Sequence, residues 1–588
     1  MLLSRKRPLI RRPTVPVLAA AALLVLASCA GSEDGSSGTG RGLADCAANV
    51  NTCNSGDRAD GGEMVWAISN GWEEWNNTTS SGNSVYLNQV LHGVFPLTGR
   101  FEPDGNWRWS RDLLTEEPTL VSEEPQSWRY KLRPEAVWND GTPISVDDFT
   151  WYWYALSGDE SLCAECSPAA TTYGGQIASI AETEKGTVTI TLKEGEKNPE
   201  WRSAAALAYP AHVAAAAGFD WKNDPAAMGG SMEYFAETVP TWSGGPYRID
   251  AAVVGEQVVK VPNEKWYGEV KPTLDKLIVK VVADPRSLLP GIENGELQGS
   301  APAALDADVA EQAGSVQGLY SDLATGPSWE HIDINVHNKW LSDLQLRTAI
   351  LTAINVDDIN ARTYGQVTDQ VERRLNHLFK ATSPYFTDQI TASGQGSGDI
   401  EKAKSILTAA GYTIADGKLT KDGETVGPLR LRSLDGHPMR QISVELIQSY
   451  LAELGIEITL DPIAADKLGS ALAERDFDIV LFGWSGTPEF STAPKQFWGS
   501  ASASNFGGNE NEAIDDLIAT VRQTVDPAEA AARVNEVIAK VVGDAYILPL
   551  VTTPSMVLVS DRFVNIRDTS ASPLRSLYNH EEWGLAAQ

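Results

Sequence analysis

The strongest constraint on this chain is its stretch Val15 to Cys29, VPVLAAAALLVLASC. Arg5, Lys6, Arg7, Arg11 and Arg12 precede it, and no acidic residue comes before it. A basic flank followed by a short apolar run marks a secretory signal. The run falls short of the about 20 apolar residues that cross a bilayer as a helix. Whatever follows is therefore expected to fold and work outside the membrane.

The run ends in Leu26-Ala27-Ser28-Cys29, which resembles the lipobox of bacterial lipoproteins. The resemblance implies residues 1–28 as a lipoprotein signal peptide and Cys29 as the lipidated first mature residue. Two acyl chains anchor stably where one does not. With Cys29 acylated, Cys46, Cys53, Cys163 and Cys166 remain. An even number in an exported chain reads as two disulfides. Local pairing, Cys46 with Cys53 and Cys163 with Cys166, is favoured among three possible connectivities. Cys163 and Cys166 also have the C-x-x-C spacing of redox centres, but Ser, Gly, Asp and Pro around them read as a loop rather than a helix N-terminus.

At 588 residues the chain exceeds a single core, so two or three domains are expected. Its formal charge of −31, more negative still without the signal, disfavours nucleic acid and anionic headgroups as partners. Residues 29–61, rich in Gly, Ser, Asp and Asn, read as a flexible tether.

Beyond the tether, Gly62 to Ser69 alternates as a first strand and Val85 to Val94 has helical spacing. In Trp128 to Phe149, a strand, the turn Asn139-Asp-Gly-Thr142 and a helix opened by Ser145-Val-Asp-Asp148 follow one another. Val258–Val261, Leu277–Val282 and Ile456–Leu460 are further short strands. They alternate with amphipathic helices such as Asp399–Ala410 and Gln441–Leu454, a mixed α/β pattern.

The run "W-N-D-G-T-P…V-D-D-F" closely resembles family 5 extracellular solute-binding proteins, the receptors of ABC importers for peptides, nickel and similar cargo. The likeness continues in order through Gly244-Gly-Pro-Tyr247, Pro262 to Gly268, Leu274 to Val279, Leu346-Arg-Thr-Ala349, Ile400 to Tyr412, Leu446 to Leu460 and Asp476 to Trp484. It implies an α/β chain with the two-lobed periplasmic-binding-protein fold (class II, Venus-flytrap) and an additional inserted subdomain. Mapped here, residues 62–100, 244–328 and 545–588 form lobe I. Residues 101–243 are the insertion, and 329–544 form lobe II.

The informative stretch is Phe477 to Glu489, FDIVLFGWSGTPE. Residues Phe477 to Phe482 read as a buried strand that runs out into Gly483-Trp-Ser-Gly486. Open α/β sheets bind ligands beyond the carboxyl ends of their strands. By resemblance, Gly483, Trp484 and Ser485 contact the ligand, pairing with an extended peptide through main chain. Peptide-binding members commonly carry an Asp three residues after this Trp, facing the ligand's α-ammonium. Thr487 stands there instead, and Glu489 is the nearest substitute. Asn83 and Trp329 are further cleft candidates, and His437 and Arg440 are candidates to meet a ligand carboxylate.

Chemistry beyond binding is not indicated. No Walker A run and no G-x-S-x-G elbow occurs, so no ATPase or hydrolase machinery is recognisable. The seven His are scattered, and His331 with His337 on one strand face is too few for a metal site. No enzyme activity, cofactor or metal is expected. The expectation is a monomeric, extracytoplasmic, lipid-anchored receptor that binds oligopeptide or another small solute and serves separate permease and ATPase subunits. The alternative is an envelope lipoprotein of the same fold acting in glycolipid assembly, because Tyr130 to Trp138 also resembles a mycobacterial lipoprotein of that kind.

Overall fold

A computed structural model describes residues 42–204, 208–302, 305–464 and 467–587. Cys29 and the signal lie outside the described residues. Among the described residues, no helix is long and apolar enough to cross a membrane.

Among the described residues, one mixed sheet of eleven strands runs through the chain. Its two longest strands, Leu319–Ile334 and Ile547–Ser560, are antiparallel neighbours at the centre. On one side the sheet continues through Gly299–Ser300, Glu63–Ile68, Lys276–Val281, Gln257–Pro262 and Tyr247–Val253. On the other it continues through Ile479–Ser485, Leu429–Ser433 and Ile458–Leu460. The strands expected at Gly62–Ser69, Val258–Val261, Leu277–Val282, Ile456–Leu460 and Phe477–Phe482 are among them, and Gly299–Ser300 and Leu429–Ser433, which lack β-branched residues, are not foreshadowed by the periodicity.

The central pair divides into two halves. Residues 319–325 pair with 554–560, and 329–333 pair with 547–552, with a register slip between. Gly326, Pro327 and Ser328 stand opposite Thr553 at that slip. Pro327 and Pro554 carry no N–H, so the ladder cannot close across it, and proline is tolerated in sheets at such irregular places. Gly326 is needed there, because a Cβ would meet the Thr553 carbonyl at 2.7 Å. The slip lies beside the boundary expected at residue 328. The helix Pro527–Asp544 ends in left-handed Ala545, and residues 547–552 then pair with 329–333 and, at Val551 and Thr552, with Arg373 and Glu372.

The inserted stretch forms an antiparallel four-stranded sheet ordered Thr119–Glu123, Gln126–Lys131, Thr187–Leu192, Ile177–Glu184. The helix Val146–Leu156 packs on it, and the Asp148 carboxylate closes the expected capping box by accepting from Ser145 N at 2.7 Å. Trp128, Trp138, Trp151 and Tyr209 of the insertion share one buried cluster with Met64, Trp66 and Trp583 of lobe I. The insertion therefore has no core of its own. A second cluster is built on Ile332, Ile350, Ile447, Leu481 and Val534 and also takes in Ala67, Leu288, Leu297 and Val309.

Residues 42–61, expected as part of the tether, pack on the body. Leu43 and Cys53 are buried, and Arg58–Ala59 pairs with Gly584–Ala586. Asn54 is fully buried and left-handed, a conformation Asn tolerates. Its side chain accepts from Gly42 N at 3.2 Å and donates to the Ile566 carbonyl at 3.1 Å, while Arg567 Nε donates to the Cys53 carbonyl at 2.9 Å. Polar composition reads as a tether, but backbone and Asn hydrogen bonds dock residues 42–61 onto the C-terminal segment. Both disulfides take the local pairing, Cys46–Cys53 and Cys163–Cys166.

Asn54→Ala should lower stability by about 1–3 kcal/mol, the cost of leaving buried partners unpaired. A thermal or urea midpoint unchanged from wild type would contradict the docking.

Candidate functional site

A cleft of about 1440 Å³ opens between the insertion and lobe II, with the slip at its floor. Residues of both walls line it, among them Trp201 and Ser203 on one side and Tyr385 and Phe490 on the other. Pro327, Trp329, Ser570 and Ala571 line its floor.

The strand alternation decides which candidates reach it. Strand Ile479–Ser485 does not stop at Phe482. It carries Gly483, Trp484 and Ser485 in register with Glu330, Trp329 and Ser328. Residues directly opposite in a ladder share a face. Trp484 and Trp329 therefore face the cleft together, and Gly483 and Glu330 face the other side. Trp484 is partly buried and stacks on Phe497, centroids 4.6 Å apart, and on Phe506, 5.7 Å apart. Ser485 is exposed and lines the cleft, as does Glu489.

Gly483, His437, Arg440 and Asn83 are not among the cleft-lining residues. A Cβ on Gly483 would meet the Trp329 carbonyl at 2.9 Å and Arg440 Nη2 at 3.2 Å, so its glycine serves close packing inside the sheet. Arg440 does meet a carboxylate, but the protein's own. Its Nε donates to Glu330 Oε1 at 2.7 Å, with the Glu330 side chain 2% exposed. His437 caps the helix Pro438–Ala452, its Nδ1 accepting from Arg440 N at 3.5 Å, and burial lowers its pKa. Asn83 is exposed in the loop before the helix Val85–Leu91.

Residues that no motif announced hold the walls together. The Glu200 carboxylate, from the insertion, accepts from Phe490 N and Ser491 N of lobe II, each at 2.8 Å, and from Ser491 Oγ. Ser203 Oγ donates to Glu489 Oε1 at 2.8 Å. Lys197 N donates to the Arg522 carbonyl at 2.8 Å, and Arg522 pairs with Glu196 at 2.5 Å. These contacts latch the two walls together along one rim of the cleft.

That latch buries two acids side by side. Burial and the Glu200 charge push Glu489 up to about 7. Burial also raises Glu200, against which three donors from Ser491 and Phe490 act. The donors from Ser491 and Phe490 favour the charged form of Glu200. Among the described residues neither forms an ion pair with a cation. Thr487 Oγ1 donates to Glu489 Oε2 at 3.2 Å, so the residue standing at the expected Asp position supports the substitute acid.

Residues 111–507 match the family model of bacterial extracellular solute-binding proteins, family 5. The oligopeptide-binding protein OppA of Mycobacterium tuberculosis is 27% identical over 524 residues, covering 88% of this chain and 84% of that one. The probable monoacyl phosphatidylinositol tetramannoside-binding protein LpqW of the same organism is 24% identical over 431 residues, covering 68% of this chain and 64% of that one. Among solved structures, the periplasmic EDTA-binding protein EppA superposes with a TM-score of 0.85 at 30% identity, covering 92% of this chain and 99% of that chain. The two-lobed periplasmic-binding-protein architecture is that of these relatives, which are binding proteins and not enzymes.

Arg440→Met should destabilise the protein by about 3–5 kcal/mol by stranding buried Glu330, and Glu330→Met in the same chain should restore most of the loss. Solute affinity of the folded variants should equal that of wild type. A folded Arg440→Met of normal stability but weakened binding would put Arg440 in the site after all.

Proposed function

The chain belongs to the family 5 extracellular solute-binding proteins of bacteria, and on that premise we propose that it is the receptor of an ABC importer, binding oligopeptides between its lobes as a monomer. It is anchored outside the membrane through lipidated Cys29, and the closed form docks on a separate permease that an ATPase subunit powers.

The observation that carries the peptide reading is the acid pair beside an aromatic wall. Glu489 and Glu200 sit at the latched rim with no cation of the protein against them, and Trp484 and Trp329 supply a large apolar surface nearby. A ligand α-ammonium entering there replaces the proton on Glu489 and is paired with a carboxylate, which a buried ammonium requires. The aromatic wall adds contact area at little entropic cost and without regard to side-chain identity. The relationship to OppA, named for oligopeptide binding, supports the same ligand class. A ligand that touches both walls binds the closed state better than the open one, and that difference is what drives closure.

The envelope-glycolipid role is the second reading, supported by the likeness to LpqW. The latched rim favours a solute taken up between the lobes over a lipid whose chains must leave the cleft.

Native mass spectrometry of freshly purified protein tests this directly. A bound peptide is the expected result, and a bound glycolipid would replace the reading with its rival. Titration calorimetry with that ligand should show Glu489→Gln weaker by about 1–3 kcal/mol and Trp484→Ala weaker by about 2 kcal/mol or more. Because Glu489 must be ionised to take a cation, affinity should fall as pH drops below about 7 and level off above it. Unchanged affinity in both folded variants would place the site elsewhere. Cys29→Ser should release the protein from the membrane or leave it unprocessed, and unaltered membrane retention would remove the anchor.

A further inference from the structure

Two of the seven histidines meet in lobe I, apart from the cleft. His92 follows the helix Val85–Leu91, and His580 lies in the 3-10 turns Arg575–Glu582 near the end of the chain. Their ring centres are 4.9 Å apart. One ring nitrogen of each and a carboxylate oxygen of Glu581 lie within 4.8 Å of one another. None of the three residues lines the interlobe cleft.

Hydrogen bonds decide which nitrogens are free. A carbonyl oxygen only accepts, so His92 Nε2 donates to the Tyr578 carbonyl at 3.0 Å, and His580 Nδ1 donates to the Leu577 carbonyl at 2.7 Å. Each ring is thereby held in one tautomer, with its lone pair on the other nitrogen. Metal-ligating histidines are oriented in this way, by the bond that their second nitrogen makes. His580 is fully buried, and its Nε2 has no partner among the described residues. An unpaired polar atom so deep is costly. Gly93 keeps side-chain atoms out of the space before it. That residue is left-handed, with φ 78°, and a Cβ on it would collide with His580 Nε2. Tyr247 stacks on the His580 ring with centroids 5.0 Å apart and holds its plane.

The surrounding charges leave room for a cation. Arg100 pairs with three acids, Glu102 at 2.9 Å, Glu581 at 2.5 Å and Glu582 at 3.1 Å. Glu581 can turn to another cation without leaving Arg100 unanswered. Lys260 Nζ, buried nearby, donates to the carbonyls of His92 at 2.8 Å and Gln89 at 3.4 Å, closing the end of the helix. Arg567 also pairs with Glu582, so these three acids exceed the two arginines by one, which offsets Lys260. A second cavity, of about 210 Å³, reaches the place, and His92, Gly93, Arg100 and Glu581 are in its wall. It supplies a path for an ion and space for water in a remaining coordination position.

We propose that His92, His580 and Glu581 form a metal site in lobe I that takes a divalent transition ion of the zinc class. Two imidazoles, a carboxylate and a water make a set that zinc accepts, whereas calcium and magnesium prefer oxygen alone. Ligands about 2.1 Å from one tetrahedral ion stand about 3.4 Å apart. The three donors therefore draw together on binding, which the unbranched Glu581 side chain allows. The bound ion ties the end of the helix Val85–Leu91 to the C-terminal segment and so holds lobe I together. It is independent of what the cleft binds.

The test uses the intact protein without an affinity tag, stripped on a chelating resin and then given zinc or calcium. Native mass spectrometry counts bound ions, X-ray absorption reads their ligands, and scanning calorimetry reads stability. The expected result is one zinc per chain, two imidazoles in its first shell, and a melting temperature that rises with zinc concentration. Calcium should do neither. His92→Gln and Glu581→Gln, each with a normal melting curve before zinc is added, should weaken zinc by more than the about 10- to 100-fold that loss of a supporting hydrogen bond costs. No retained zinc overturns the proposal. So does a first shell of oxygens alone, the mark of ions scattered on surface carboxylates. Zinc held by both folded variants as tightly as by wild type also overturns it.

Discussion

Everything in this molecule hangs from the antiparallel contact between Leu319–Ile334 and Ile547–Ser560. One sheet serves two lobes because these strands are long enough to belong to both. Their ladder shifts register twice, by one residue between Glu330 and His331 and more widely at Gly326-Pro327-Ser328 against Thr553, where two prolines withhold donors and a glycine allows close approach. The wider of the two breaks, three residues against one, leaves the ladder least tied there. The closure proposed for the chain is rotation about that place. The cleft floor lies on that place, with Pro327 and Trp329 lining it.

The charges of the chain sort by whether the fold already answers them. Glu330 and Arg440, on the sheet face away from the cleft, answer each other at 2.7 Å. Glu196 and Arg522 answer each other across the rim. Glu200 and Glu489 at the rim, and Arg374 and Lys380 at the floor, are satisfied only by backbone groups and hydroxyls. Protein interiors rarely tolerate that. These uncompensated groups cluster where a solute has to bind, and the compensated ones cluster where packing has to hold. That partition distinguishes recognition from structure more sharply than the overall acidity of the chain, which speaks to solubility.

Much of the fold was legible in the sequence because it rests on local signals. Alternation marked Glu63–Ile68 and Lys276–Val281, Ser145 and Asp148 marked a helix start, and close cysteine spacing marked both disulfides. Trp484, Ser485, Glu489 and Trp329 were legible through the ordered resemblance and do line the cleft. What failed depends on long-range geometry. Phe477 to Phe482 is apolar on both faces, so its pattern cannot tell the cleft side from the packed side, and Gly483 lies on the packed side. Arg440, read in a turn before the Gln441 helix, lies within the helix Pro438–Ala452 and pairs with Glu330. Glu200 and Arg374 sit in irregular stretches without period or motif, and only folding brings them to the cleft. The docking of residues 42–61 depends on partners near Ile566, more than half the chain away, and on backbone groups that composition does not report.

The central claim is that the two lobes close about the slip over a solute. Its most direct test is the distance between nitroxide labels on cysteines introduced at Glu117 and Glu529, exposed residues on opposite walls of the cleft. Pulsed electron resonance on protein stripped of its copurified solute, and again after the solute is restored, reads both states. The account predicts a longer, broader distribution when stripped that shortens and narrows on restoration. One unchanged distribution in both states would contradict it.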